Sequence, residues 1–283
     1  MVVLVTGGQG QVGQALQAQA QKHPEVQFYF ASSAEADVTS ADSLESIFTK
    51  VQPDFCINAS AYTAVDKAES EQDKAYAINV TGAKNLAEAC KKHNAVLVHI
   101  STDFVFDGNS TKPYTEDDIT NPQGVYGATK RDGEMAIANV FSNYIIVRTS
   151  WVYSEFGNNF MKTMLRLASE RDALNVVNDQ IGTPTNANYL AQAILDIIQH
   201  IASHPGFNAF GIYNYSGEGE CTWYGFAKKI FEVNNVKINL QPILSHAFPT
   251  PAKRPVYSVL DKQKIKTVFG LAIPDWEESL KPL

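Results

Sequence analysis

Cysteine is scarce. Cys56, Cys90 and Cys221 are odd in number and widely spaced, which excludes a complete disulfide framework and leaves no pair at metal-ligand spacing. They read as buried free thiols of a reducing compartment. The six histidines are equally dispersed, so no metal is expected. No apolar run approaches the roughly 20 residues of a membrane-spanning helix. The start, Met1 to Val5, has neither the basic flank nor the cleavage pattern of a signal peptide. Positive charge is also short: the net charge is -7, which argues against a nucleic-acid partner. These absences describe a cytoplasmic protein with no membrane and no nucleic-acid partner.

What is present is apolar. Residues of that kind make up 45% of 283 and charged ones 19%, enough for one large α/β domain with or without a smaller lobe. Short β-branched runs at Val2–Val5, Val26–Phe30, Phe55–Ile57, Val96–Ile100 and Tyr144–Val147 alternate with helix-like stretches. Those stretches are Val12–Lys22, Ser43–Val51, Lys67–His93 and Gly124–Val140. The strand runs lack in-out alternation, as strands covered on both faces do. Strand–helix alternation predicts a doubly wound parallel sheet, with ligands at the strand C-termini.

The second half is less regular. Helices are expected at Asn158–Glu170, Asn188–Ser203, Trp223–Val233 and Pro274–Leu280, and strands near Leu174–Val177 and Ile212–Tyr215. Pro242, Pro249, Pro251 and Pro255 mark an irregular stretch. The expected division is a dinucleotide-binding domain over 1–150, joined by elements near 172–215, and a substrate lobe from 151–171 and 216–283.

The first strand runs into Thr6-Gly7-Gly8-Gln9-Gly10-Gln11-Val12-Gly13, and a helix follows. Gly7 suits a tight turn, Gly10 a close approach of backbone to pyrophosphate, and Gly13 the packing of helix on strand. Such strings are common; the position between the first strand and its helix gives this one its weight. After the second strand stand Ala31-Ser32-Ser33, with Glu35 and Asp37 slightly later. No acid repels a 2′-phosphate at the strand end and no arginine grips one, which leaves NADH or NADPH open with a lean to NADPH. Asp37-Val38 reads equally as an adenine contact or as part of a helix N-cap.

Tyr126 and Lys130 lie four apart on one face of an expected helix. A tyrosine with an ordinary pKa near ~10 exchanges protons poorly at neutral pH. A neighbouring ammonium favours the phenolate, and a lysine there can also bond a cofactor ribose. A hydroxyl in Ser101-Thr102-Asp103, after an earlier strand, can polarise a substrate carbonyl. Glycine loop, hydroxyl and Tyr-x-x-x-Lys occur in the order that a ketone reductase needs.

This arrangement resembles the extended short-chain dehydrogenase/reductase family, whose fold is Rossmann-type. Asn58-Ala59-Ser60-Ala61-Tyr62-Thr63-Ala64-Val65-Asp66, Arg148-Thr149-Ser150-Trp151-Val152-Tyr153, Gly157-Asn158-Asn159-Phe160, Asn178-Asp179-Gln180 and Arg254-Pro255 are similar to signatures of the dTDP-4-dehydrorhamnose reductases. The resemblance implies reduction of the C4 ketone of a dTDP-linked sugar, with Tyr126 as proton donor. It implies that Lys130 tunes Tyr126 and holds the cofactor ribose, that Thr102 bonds the carbonyl oxygen, and that Asp103 and Trp151 contact the sugar. Gly10, Gln11, Val12, Asp37, Val38, Ala61, Tyr62 and Thr63 would line the cofactor. Arg254 would bond the substrate pyrophosphate or pair with a surface acid. Some relatives dimerise around magnesium held by two glutamates; here those positions are Ala15 and Asn188, so a monomer or weak homodimer without a metal bridge is expected. Another nucleotide-sugar ketoreductase or epimerase, or a non-catalytic regulatory subunit on the same scaffold, are the alternatives.

Overall fold

The computed structural model describes residues 1–282. Strands β1 (Val2–Thr6), β2 (Gln27–Ala31), β3 (Phe55–Asn58), β4 (Val96–Thr102) and β5 (Tyr144–Thr149) join the strand Gly211–Asn214 in one six-stranded sheet. All its pairings are parallel, in the order β2-β1-β3-β4-β5 followed by Gly211–Asn214. Because β2 and β3 flank β1 on opposite sides, the chain reverses its winding at β1/β3. In doubly wound sheets the crevice beyond that point receives ligands.

Each strand feeds two cores, since successive side chains leave opposite faces. Val3, Val5, Ile57, Val98, Ile145 and Val147 pack with Leu16 of α1 (Gln11–Ala20) and with the long helix Ala187–Ser203. Leu4, Cys56, Leu97 and Ile146 face the other way, onto α2 (Ala41–Val51), α5 (Gly82–Lys92) and α6 (Val125–Val140). Leu44, Ile47 and Phe48 show why α2 lies there: their spacing makes one apolar stripe, and Ser40 caps its start through the Ser43 N–H. Each such side chain contributes about 1.5–3 kcal/mol as an upper bound.

The stretch Lys67–His93 is not one helix. It is α3 (Val65–Ala68), a break, α4 (Gln72–Tyr76), a π-helical turn at Ala77–Thr81, and then α5. The π turn aims Asn79 inward, where its amide bonds both the N–H and the carbonyl of Tyr62 and the Thr129 hydroxyl. Glu69, at the break, accepts from the Val125 N–H at 2.9 Å and so caps α6, whose own N-cap Gly124 has no side chain.

The strand expected near Leu174–Val177 lies outside the large sheet. It pairs in parallel with Asn239–Ile243 and shares a separate core with Met161, Met164, Phe226, Ile230, Phe231 and Trp276. Pro242 sits in this two-stranded sheet, where its missing N–H leaves no ladder incomplete on the open side. In return, the helix Gln263–Phe269 sends Ile265 and Phe269 back into the core of the large sheet. No helix among the described residues is long and apolar enough to cross a membrane.

Candidate active site

At the winding reversal the backbones nearly touch. Gly7 has φ +70, and a Cβ there would stand 2.7 Å from the Ala59 carbonyl carbon. Gly13 is as constrained, because its Cβ would meet the Gly7 oxygen at 2.3 Å. Gly10, the extended N-cap of α1, has only the Gly7 oxygen near a hypothetical Cβ, at 3.3 Å, and otherwise faces open space. No side chain caps α1, so its first N–H groups and partial positive charge are free for an anion.

Two cavities meet over this loop and share Gly10, Ala59, Ser60 and Ala61. One, of about 470 Å³, is walled by Gly7, Ser33, Asp37, Val38 and Lys74. Asp37 there closes a turn with Thr39, while the N-cap of α2 is Ser40. The other, of about 650 Å³, is walled by Gln11, Val12, Thr63, Thr102, Asp103, Tyr126, Lys130, Trp151 and Trp223. The groove is long, apolar at one end and rich in donors at the other, and its glycine cradle fits a dinucleotide pyrophosphate.

The start of α6 is pressed onto the loop after β4, where a Cβ on Gly127 would fall 2.2 Å from the Phe104 oxygen. That contact sets the Tyr126 ring edge-on to Phe104, with centroids 5.6 Å apart. Burial pushes the Tyr126 hydroxyl up to about 12, against the pull of the Thr102 hydroxyl and with a further push from Asp103. The expected lowering by Lys130 is therefore not met in the free protein. Lys130 Nζ is engaged elsewhere: it donates to the Ile100 carbonyl at 2.7 Å and lies 3.2 Å from His99 Nε2. Burial brings Lys130 down to about 8, opposed by Glu134.

Asp103 is 2% exposed and burial raises its carboxyl to about 6, opposed by the Ser258 and Thr102 hydroxyls. Its Oδ1 accepts from Thr102 at 3.0 Å. Its Oδ2 has no hydrogen bond of normal geometry among the described residues, the Ser258 hydroxyl lying near but outside that geometry. Trp151, at φ 46, stacks on Trp223 with centroids 3.5 Å apart. Gly182 is required beneath it, since a Cβ would stand 2.6 Å from the indole.

Two expected site residues lie off the cavity walls. Tyr62 is buried, with its hydroxyl on Glu71. Arg254 is held two-pronged by Asp66, at 3.0 and 2.8 Å. Gln11 lines the cavity, yet its amide donates to the Val152 carbonyl and accepts from Asn159. Ala15 is buried against Ala187–Ser203, and Asn188 bonds Glu155. Among the described residues no three His, Cys, Asp or Glu side chains cluster as a metal site. Sequence reasoning assigned nothing to Trp223, Lys74 or Ser33. Trp223 carried no local signal, because its partner Trp151 is distant in the chain.

The family model described as "RmlD substrate binding domain" matches residues 1–283. The chain is 42% identical over 287 residues to the dTDP-4-dehydrorhamnose reductase of Sinorhizobium fredii, covering 100% of this chain and 96% of that one. Among solved structures it is similar to a dTDP-4-dehydrorhamnose reductase from Clostridium acetobutylicum, with TM-score 0.93, 40% identity, and coverage of 99% and 97%. It is also similar to the Bacillus anthracis dTDP-4-dehydrorhamnose reductase in complex with NADP, with TM-score 0.93, 39% identity, and coverage of 98% and 96%. A matching family model over the whole chain, near-complete coverage at about this identity and the same fold place the chain in the dTDP-4-dehydrorhamnose reductase family.

Proposed function

We propose that the chain reduces the C4 ketone of dTDP-4-dehydro-L-rhamnose to give dTDP-L-rhamnose, using NADPH or NADH, with NADPH favoured. One observation carries the reading: Thr102, Tyr126 and Lys130 share a cavity with the glycine loop that opens α1. The relative crystallised with NADP supports the choice of cofactor. A bound reduced nicotinamide supplies the hydride. Gly7, Gly10, Gln11, Val12, Asp37, Val38, Ala61 and Thr63 hold the dinucleotide along the groove; Tyr62 acts from behind it, through Asn79.

Burial keeps the Tyr126 proton in place at neutral pH, and giving it to an alkoxide calls for a cation beside the phenolate, which Lys130 supplies. Thr102, by turning its single O–H from Asp103 Oδ1 to the carbonyl oxygen, holds that oxygen beside Tyr126. Lys130 holds the cofactor ribose and steadies the phenolate left behind. Asp103, on the cavity wall, faces the sugar hydroxyls, and the Trp151–Trp223 plate covers the apolar sugar face. Arg254 reaches the pyrophosphate only by leaving Asp66. The dinucleotide domain takes residues 1–150 with the Ala187–Ser203 helix and the Gly211–Asn214 strand, and the rest forms most of the substrate lobe.

The test is oxidation of NADPH and NADH by the purified chain, with and without the keto sugar nucleotide, and chromatography of the product. Dinucleotide binding without substrate-dependent oxidation would remove this reading.

A further inference from the structure

Asn58, at the end of β3, can hold its amide one way only. Its Oδ1 accepts from the Ser60 backbone N–H at 3.0 Å and from the Thr6 hydroxyl at 3.0 Å. A backbone N–H cannot accept, so a flipped amide would set donor against donor. The Nδ2 group therefore donates to His99 Nδ1, 2.9 Å away. His99 is 1% exposed, and burial holds its pKa well below the ordinary value. A neutral ring that accepts at Nδ1 carries its proton on Nε2.

That Nε2–H faces Lys130 Nζ at 3.2 Å. An ammonium has no lone pair to receive it, whereas a neutral amine accepts it and still donates to the Ile100 carbonyl at 2.7 Å. Glu134, one turn along α6, favours the ammonium, but its carboxylate is already bound by Arg148 and Ser101. Tyr126 and Asp103 are the other ionisable groups on this wall.

We propose that His99, oriented by Asn58, is a positioning residue that biases Lys130 toward the neutral amine by pointing Nε2–H at it. The proposal rests on the reading of Lys130 as the partner of Tyr126. Its consequence is that Lys130 changes charge close to neutral pH, so its support for the Tyr126 phenolate depends on pH.

Two measurements on the full chain test it. Ring nitrogen shifts of His99, in protein labelled at histidine, should report Nε2–H from about pH 6 to 9; a proton on Nδ1, or on both nitrogens, overturns the proposal. Asn58→Asp, nearly isosteric, places an acceptor opposite Nδ1 and so turns Nε2 into an acceptor for an ammonium. The Lys130 titration midpoint, read from lysine carbon shifts assigned with Lys130→Arg, should rise by about one pH unit, a tenfold change. The new carboxylate also attracts the ammonium directly, so the same change is made in His99→Gln, where the rise should largely vanish. An unchanged midpoint, or equal rises in both backgrounds, overturns the proposal. Should Asn58→Asp fail to melt cooperatively, the tautomer of the native chain decides. None of these readouts uses the sugar nucleotide; absent turnover by the native chain would overturn the proposed function and leave the His99–Lys130 geometry standing.

Discussion

Glu134 and Arg148 meet as a two-pronged pair between α6 and β5, with Nε–Oε1 at 3.0 Å and Nη2–Oε2 at 2.7 Å and both side chains 3% exposed. Ser101 adds a third bond to the carboxylate, and Phe106 lies under the guanidinium at 5.1 Å. The pair thus fixes the helix carrying Tyr126 and Lys130 against the strands carrying Thr102 and Thr149.

Breaking it from one side strands a buried charge. Glu134→Leu should cost about 3–5 kcal/mol in urea unfolding. The double variant Glu134→Leu/Arg148→Met should cost clearly less than the two single changes together, because no charge is left alone. Additive costs would show that the two side chains act independently.

Tyr126→Phe removes the proton and keeps the ring on Phe104. Turnover of the keto sugar nucleotide should fall by about 10²–10⁴, while the dinucleotide dissociation constant moves little. Steady-state kinetics and fluorescence titration read the two separately. Near-normal turnover would show that another group gives the proton.

Asp103 should leave a mark on stability against pH. Its folded carboxyl titrates near 6 against an ordinary 3.8, so between those values the folded chain binds the proton more tightly than the unfolded one. Its contribution therefore grows as pH falls from about 6 to 4 and is absent above that window, by on the order of 2–3 kcal/mol. Subtracting the urea-unfolding profile of Asp103→Asn from that of the native chain should isolate this term. A flat difference over the window would mean that Asp103 is not desolvated in the folded state.

Gly10 and Gly13 should separate binding from folding. Gly10→Ala places its Cβ at the groove, so dinucleotide affinity should drop at least about tenfold while the melting temperature holds. Gly13→Ala drives a methyl into the Gly7 carbonyl and should lower both. Equal melting losses in the two variants would contradict this division of roles.

The parts legible from sequence were those specified locally. Val2–Thr6 followed by Gly7, Gly10 and Gly13 needs no distant partner to mark a strand, a turn and a helix start, and the Tyr126–Lys130 spacing is set by helix geometry alone. What escaped depends on residues remote in the chain. The break near Glu69 arises because that carboxylate caps α6, and the π turn because Asn79 serves Tyr62 and Thr129. The Asn239–Ile243 strand exists because Ala173–Val177 offers it an edge, and its proline hid it. Helical spacing likewise shows where Lys130 sits but not that His99 and Ile100 occupy its amine.

The Gln11 amide clamps the start of α1 to Val152 and Asn159, residues far along the chain. Releasing that clamp breaks two partly buried hydrogen bonds together, each worth about 0.5–1.5 kcal/mol. Arg254 and Asp66, by contrast, form a partly exposed ion pair in the range of about 0–1 kcal/mol. Displacing Gln11 therefore costs more than parting Asp66 from Arg254, so the start of α1 is the more firmly held of these two contacts.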